Sequence, residues 1–239
     1  MLSSLAWGIV NLTAFLAMMT NSLLSAFPVG LYGITPEWAD TARLLTAVEA
    51  AHAGGMQVLQ YRRKQGSESE RQAQLHSLSQ LCQSLDLPLL LNDHWQWANQ
   101  YSIQGVHLGK DDGSIEQARL QLGPTAFLGS SCYNSLELAQ QAWQQGANYV
   151  AFGAVYPSSV KPDAPRAQLS TIRAARQWSD SLDLPIKPRI VAIGGINVDN
   201  ATAVIQAGAH SLAVISGLFE ASDVRLQAQR YAQLFAALR

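Results

Sequence analysis

Two aspartates in one short stretch, Pro88 to Asp112 (PLLLNDHWQWANQYSIQGVHLGKDD), carry the first chemical signal of this 239-residue chain. Asp93 follows the apolar run Pro88 to Leu91, and Asp112 follows a second run, Gly105 to Leu108. The runs read as strands with an about ten-residue helix between them, a βαβ unit. Consecutive parallel strands point the same way, so both acids leave the sheet at its carboxyl-terminal edge, where α/β folds put their ligands. Paired there, the carboxylates suit Mg2+, a hard cation that takes one or two of them and completes its shell with water and substrate phosphate oxygens. Helix capping is the other reading, because Asn92, Asp93 and Asp112 all precede helical patterns.

A second group of residues could hold the phosphates. Gln60-Tyr61-Arg62-Arg63-Lys64 leaves an apolar strand, and alternation aims Gln60, Arg62 and Lys64 to one side, Tyr61 and Arg63 to the other. A guanidinium that pairs bidentately with phosphate oxygens, a movable ammonium and an amide suit a diphosphate; an ordinary solvated charge cluster is the plainer alternative. Ser131, in Gly129-Ser130-Ser131-Cys132, could donate a hydroxyl hydrogen bond to a ligand or cap a helix. Ser158-Ser159-Val160-Lys161 lies in a proline-rich loop of a length that is more often functional than not, and Lys161 is long enough to reach inward. Two small-residue turns come late, Gly194-Gly195-Ile196 and Ile215-Ser216-Gly217. His107 sits inside an apolar strand and reads as a satisfied core residue; the other histidines show no pairing pattern, and no Ser/His/Asp or Cys/His triad can be assembled.

The elements that must position these residues repeat a beat of short strand and longer amphipathic helix, eight times from Pro28 onward. The predicted strands are Val29–Ile34, Met56–Gln60, Pro88–Leu91, Gly105–Leu108, Ala126–Leu128, Tyr149–Val155, Ile190–Ile193 and Ser211–Ile215. Helices are predicted over Asp40–Ala53, from the Tyr61–Gly66 loop through Leu85, and over Leu136–Gln145 and Leu169–Trp178. Alternating elements demand a parallel sheet, and eight strands closing on themselves give a single-domain (β/α)8 TIM barrel. An open doubly wound sheet is the competitor, but that fold usually carries its glycine-rich phosphate turn after the first strand, and Leu31 to Trp38 has none. In barrels the loops after strands seven and eight commonly hold a phosphate, which is where the two late turns fall.

With 16 basic and 17 acidic residues and no long basic run, the chain carries no nucleic-acid footprint. Cys82 and Cys132 stand outside any disulfide or zinc spacing, so a reducing cytoplasm fits. The first charged residue is Glu37. The apolar segment before it lacks the basic start of a secretory leader, and Asn11, Thr13, Thr20, Asn21 and Ser22 break it as a membrane span. Residues 1–28 therefore read as an upstream extension, a product of start-codon choice near Met18 and Met19, and residues 29–239 as the barrel.

Taken in order, Gln60-x-Arg62-x-Lys64, Asn92-Asp93, Gly105-Val106-His107-Leu108-Gly109 with Asp112, Ser131, the Ser158 to Lys161 loop, Gly194-Gly195-Ile196 and Ile215-Ser216 resemble the thiamine phosphate synthase family, across Leu31 to about Leu238. The resemblance implies a (β/α)8 barrel that joins a hydroxymethylpyrimidine diphosphate to a thiazole phosphate with Mg2+, releasing diphosphate. It implies that Gln60, Arg62, Lys64, Asn92, Ser131 and Lys161 hold the pyrimidine diphosphate, with Arg62, Lys64 and Lys161 catalytic, and that Asp93 and Asp112 hold Mg2+. Ser158, Ser159, Val160, Gly194, Gly195, Ile215 and Ser216 would hold the thiazole phosphate. The partners implied are small-molecule phosphates, with no nucleic acid and no membrane; a homo-oligomer is compatible. The chain departs from the family pattern at Val160, where a threonine is usual, at Lys110, where glutamine is usual, and at Tyr133, where a histidine is common. The alternatives on the same barrel are a thiazole tautomerase-like enzyme, against which Tyr133 weighs, and a non-catalytic thiazole phosphate sensor.

Overall fold

Strands that are apolar on both faces need cover on both sides, and a parallel sheet closed on itself inside a ring of helices supplies it. The computed structural model describes residues 26–109, 111–157 and 166–238, and it has this architecture. Eight parallel strands pair in sequence: β1 (Gly30–Ile34), β2 (Met56–Tyr61), β3 (Leu89–Asn92), β4 (Gly105–Leu108), β5 (Phe127–Tyr133), β6 (Tyr149–Phe152), β7 (Arg189–Ile193) and β8 (Ser211–Val214). The last pairs with the first and closes the barrel. Around them run α1 (Thr41–Ala53), α2 (Glu68–Ser84), a seven-residue 3-10 helix (Trp95–Tyr101), α3 (Ile115–Leu122), α4 (Leu136–Gln144), α5 (Leu169–Ser181), α6 (Ala201–Gln206), α7 (Ser216–Phe219) and α8 (Val224–Ala237).

Alternation divides each strand between two cores. Tyr32 and Ile34 of β1, Val58 of β2, Leu90 of β3, Tyr149 and Ala151 of β6, Val191 of β7 and Ala213 of β8 form a cluster inside the barrel, while the intervening residues pack outward against the helices. Phe27 belongs to the inner cluster. It is 1% exposed and stacks on Tyr149 with ring centroids 4.1 Å apart. The barrel thus begins two residues before the expected start at residue 29; the rest of the expected extension, residues 1–25, lies outside the described residues. Among the described residues no helix is long and apolar enough to cross a membrane.

Two elements differ from the sequence expectation. β5 runs on to Tyr133, so Ser130 and Ser131 lie within the strand rather than after it. Serines break an apolar pattern, but Ser131 faces the polar upper interior of the barrel, where it meets His107, and Ser130 takes the opposite face. The link between β3 and β4 holds the 3-10 helix in place of the expected α-helix; it starts at His94 without a side-chain cap and ends at Ser102 with φ 52°.

The amino-terminal ends of the strands are sealed by buried polar groups. The Arg119 guanidinium of α3, 9% exposed, donates to the carbonyls of Gly123, Ala126 and Gly146 and to Asn148 Oδ1. Those acceptors meet its donors where no water can, as burial of a charge requires. At β7 and β8, the Ile190 N–H donates to His210 Nδ1 at 2.9 Å. Burial, followed by the charges of Arg176 and Arg189, pushes this imidazole down to about 4, against a weaker pull from Asp180. A depressed histidine binds its proton more readily in the unfolded chain, so its contribution is full above the ordinary value of 6.5 and is lost as pH falls toward about 4. The unfolding free energy should therefore drop by about 2 kcal/mol between about pH 7 and about pH 5. Urea denaturation of the native protein and of His210→Asn checks this: the variant should show a flatter dependence over that window, and an equal slope in both would assign the loss to other groups.

Candidate active site

The carboxyl ends of β1, β2 and β3 bring the first group together. Gln60, 2% exposed near the end of β2, donates through Nε2 to Asn92 Oδ1 at 2.8 Å and accepts at Oε1 from the Tyr32 hydroxyl at 3.0 Å. Arg62 follows one step later on the same side. Its backbone is clasped by Thr35, whose Oγ1 accepts from Arg62 N at 2.8 Å and donates to Arg62 O at 3.1 Å. Its Nη1 donates to Glu37 Oε1 at 3.1 Å. The Glu37 carboxylate also accepts from the backbone N–H of Lys64 at 3.0 Å and of Gln65 at 3.2 Å. Two residues after β1 therefore hold the whole Arg62–Gln65 turn. Tyr61 points the other way, as alternation requires, with its hydroxyl donating to Arg71 O and Gln74 Oε1 on α2.

The second group joins the first through Lys64, whose Nζ lies 3.5 Å from Asp93 Oδ2. Asp93 has φ 65°, a left-handed conformation that turns the chain sharply as it leaves β3. Asp112 folds back to accept from the Gly109 N–H at 2.8 Å. Burial, followed by the hydrogen bond and charge of Asp112, raises the Asp93 carboxyl above its ordinary range, while Lys64 pulls it down. Neither acid caps a helix: the side chain that caps α3 is Ser114, and the 3-10 helix has no side-chain cap. Two adjoining carboxylates beside a lysine, half-buried and turned to the strand ends, fit a divalent cation. Among the described residues no cluster of three or more His, Cys, Asp or Glu side chains is placed to ligate an ion. A cation here would complete its shell with ligand oxygens and water, which is how Mg2+ is usually held beside phosphates.

Ser131 is reached from the interior. His107 of β4 pairs its Nε2 with Ser131 Oγ at 2.9 Å and its Nδ1 with the Tyr149 hydroxyl at 3.0 Å. The Tyr149 hydroxyl in turn lies 2.9 Å from that of Tyr32. Ser131 does not cap α4, a task that falls to Ser135. His107 is satisfied, as its setting in an apolar strand suggested, but its partners tie it to a site residue.

Gly194 and Gly195 follow β7 with φ of 99° and 61°. A side chain at residue 195 would meet Pro157 O at 2.2 Å, so this turn and the stem of the loop after β6 pack in direct contact. The Gly194 carbonyl accepts from Tyr156 N at 3.0 Å and that of Gly195 from Asn200 Nδ2 at 3.0 Å. Ile215 and Ser216 follow β8 and open α7. The Tyr231 hydroxyl reaches both turns, at 3.3 Å from Ile196 O and 3.4 Å from Gly217 O. Ser158, Ser159, Val160, Lys161 and also Lys110 lie outside the described residues; the loop's described ends are Pro157 and Arg166.

Sequence reasoning did not single out Thr35, Glu37, Tyr32 or Tyr149. For Glu37 a signal was present, since an acid just past the first strand stands in the same relation to the sheet as Asp93 and Asp112.

Comparison with known proteins converges on one family. The family model described as thiamine monophosphate synthase matches residues 31–218. A thiamine-phosphate synthase of Thiobacillus denitrificans is 49% identical over 214 residues, covering 90% of this chain and 98% of that one. That of Bordetella pertussis is 50% identical over 210 residues, covering 88% and 96%. A solved structure, thiamine phosphate pyrophosphorylase from Pyrococcus furiosus, superposes with a TM-score of 0.73 at 31% identity, over 92% of this chain and 98% of that one. With the order of motifs, the closed barrel and these relatives in agreement, the chain belongs to the thiamine monophosphate synthase family.

Proposed function

We propose that the chain makes thiamine phosphate, joining 4-amino-2-methyl-5-hydroxymethylpyrimidine diphosphate to thiazole phosphate and releasing diphosphate. The observation that carries this reading is the contact of Lys64 with Asp93, with Asp112 beside it and Arg62 on the same strand extension. Cations and paired acids on one arc of the barrel mouth are the charge pattern a metal-bound diphosphate needs. In the reaction the bond between the pyrimidine methylene carbon and the diphosphate oxygen breaks, and its electron pair leaves with diphosphate. The thiazole nitrogen then gives its lone pair to that carbon. The aminopyrimidine is electron-rich, so a carbocation-like intermediate is reasonable, and no general base is obligatory.

The protein's work is then electrostatic and positional. Arg62, Lys64 and Lys161 neutralise charge developing on the leaving group; Gln60, Asn92 and Ser131 orient the pyrimidine diphosphate. Asp93 and Asp112 would hold Mg2+, which when bound supplies further positive charge to the diphosphate oxygens. Gly194, Gly195, Ile215 and Ser216, with Ser158, Ser159 and Val160, hold the thiazole phosphate. Glu37 keeps Arg62 and the Lys64 backbone in register before substrate arrives. With Cys82 and Cys132 both buried as free thiols, this reading assigns a reducing cytoplasm. Neither the tautomerase nor the sensor alternative is favoured, because relatives near 50% identity are named as synthases.

Purified protein given both substrates should form thiamine phosphate with Mg2+, lose that activity in a chelator and regain it when Mg2+ is returned; folded protein that forms no product under any of these conditions would overturn the reading. Asp93→Ala and Lys161→Ala should each lower kcat by about a hundredfold or more with little change in melting temperature, and near-native turnover in both would remove these residues from the site. Glu37→Ala should raise KM for the pyrimidine diphosphate by about tenfold through loss of the clasp, whereas Glu37→Gln, which keeps an oxygen for the backbone N–H groups, should fall between it and the native enzyme. Steady-state kinetics with the diphosphate substrate varied checks the order.

A further inference from the structure

One hydrogen-bonded row crosses the inside of the barrel and takes a side chain from each of six strands. From one end it runs Asn92 (β3), Gln60 (β2), Tyr32 (β1), Tyr149 (β6), His107 (β4) and Ser131 (β5), with links of 2.8, 3.0, 2.9, 3.0 and 2.9 Å. The middle is buried: Tyr32 and Tyr149 are 2% and 0% exposed. The two ends, Asn92 and Ser131, are half-buried. Room for the row depends on residue 129, where a side chain would land 1.9 Å from Tyr149 Cζ; only glycine leaves the ring its place.

A row of this kind has a direction, because each phenol has one proton to give. Burial raises the pKa of both phenols well above the ordinary range, so both protons stay on. The Gln60 amide donates its Nε2 hydrogen to Asn92, which leaves Oε1 as the acceptor for Tyr32. The Tyr32 proton is thereby committed to Gln60, so Tyr149 must donate to Tyr32. The Tyr149 oxygen is then left as an acceptor, and His107 must donate to it from Nδ1. If the ring is neutral, as the proposal requires, Nε2 carries no proton and accepts from the Ser131 hydroxyl. Each step follows from the one before, and the ends come out opposite. Asn92 has its oxygen occupied and its N–H groups left for a ligand; Ser131 has its proton occupied and its lone pairs left.

We propose that Tyr32, Tyr149 and His107 are positioning residues that fix this polarity, so that Asn92 offers the substrate a donor and Ser131 an acceptor. For the substrates, the inference rests on the function proposed above. The pyrimidine diphosphate carries one group of each complementary kind, acceptor oxygens on its diphosphate and a donor amino group on its ring. The diphosphate therefore lies toward Asn92, on the side of Arg62 and Lys64, and the amino group toward Ser131. This reverses the sequence expectation that Ser131 donates its hydroxyl hydrogen to the ligand.

Nitrogen-15 NMR of the ligand-free protein, with the His107 signals assigned by their loss in His107→Gln, reads the direction without any turnover. The expected result is a protonated Nδ1 and a bare Nε2. Tyr149→Phe keeps the ring that stacks on Phe27 but cuts the row, and should move His107 toward the Nε2–H tautomer. In calorimetric titrations, that variant and Ser131→Ala should each weaken binding of the pyrimidine diphosphate by about tenfold while changing the affinity for inorganic diphosphate with Mg2+ by less than about twofold. An Nε2–H tautomer or an imidazolium in the native protein would have His107 donating to Ser131 and would overturn the proposal, as would equal losses for the two ligands. Either result would leave thiamine phosphate formation, assayed separately, untouched.

Discussion

The Tyr149 ring occupies space that any side chain at residue 129 would fill, with Phe27 stacked beneath it and its hydroxyl bonded to Tyr32 and His107. Close packing of the interior makes this arrangement rigid, since a ring held by stacking on one side and two hydrogen bonds on its edge has no other place to go. Through Tyr32 it orders Gln60 and Asn92, and through His107 it orders Ser131. Residues from both sides of the mouth thus share one interior support, which ties side chains on strands far apart in sequence to a common geometry.

The outer part of the site is held differently. Thr35 and Glu37 grip the turn after β2 from above by backbone contacts and one ion pair, in which Arg62 is 14% and Glu37 30% exposed. A pair so placed contributes little to stability in water. Its value is geometric, because it sets the direction of a side chain that has many rotamers. The carboxylates work the opposite way: burial, with Asp112 alongside, raises the cost of ionising Asp93, a cost that a bound cation would relieve.

Much of this was legible in the residues. The bounds of β4 were read as found, Gly105–Leu108, because an apolar run closed by glycines leaves little choice. The alternation of Gln60, Tyr61 and Arg62 gave the correct sides, since a strand has no other period. The capping readings of Asp93, Asp112 and Ser131 could not be settled from sequence, because Ser114 and Ser135, the side chains that cap, stand within four residues of Asp112 and Ser131. β5 was cut short because a polar interior does not announce itself in an apolar pattern. Tyr32 and Tyr149 lie in predicted strands but were not singled out; that their hydroxyls meet depends on the closure of β1 against β8 and on the register of β6, long-range facts that no local window holds. His107 was rightly read as satisfied, and only the fold showed that its partners are Tyr149 and Ser131.

Glu37 has one more consequence. Arg62 enters the mouth already paired, so the site resembles an ion exchanger more than an empty anion trap. An incoming phosphate gains only the difference between its own attraction for the guanidinium and that of a carboxylate at 3.1 Å, and that difference grows steeply with the charge of the ligand. A diphosphate clears this threshold more readily than a monoester does. In the proposed reaction the resident carboxylate would be at hand to take back the guanidinium as diphosphate departs, which would favour release.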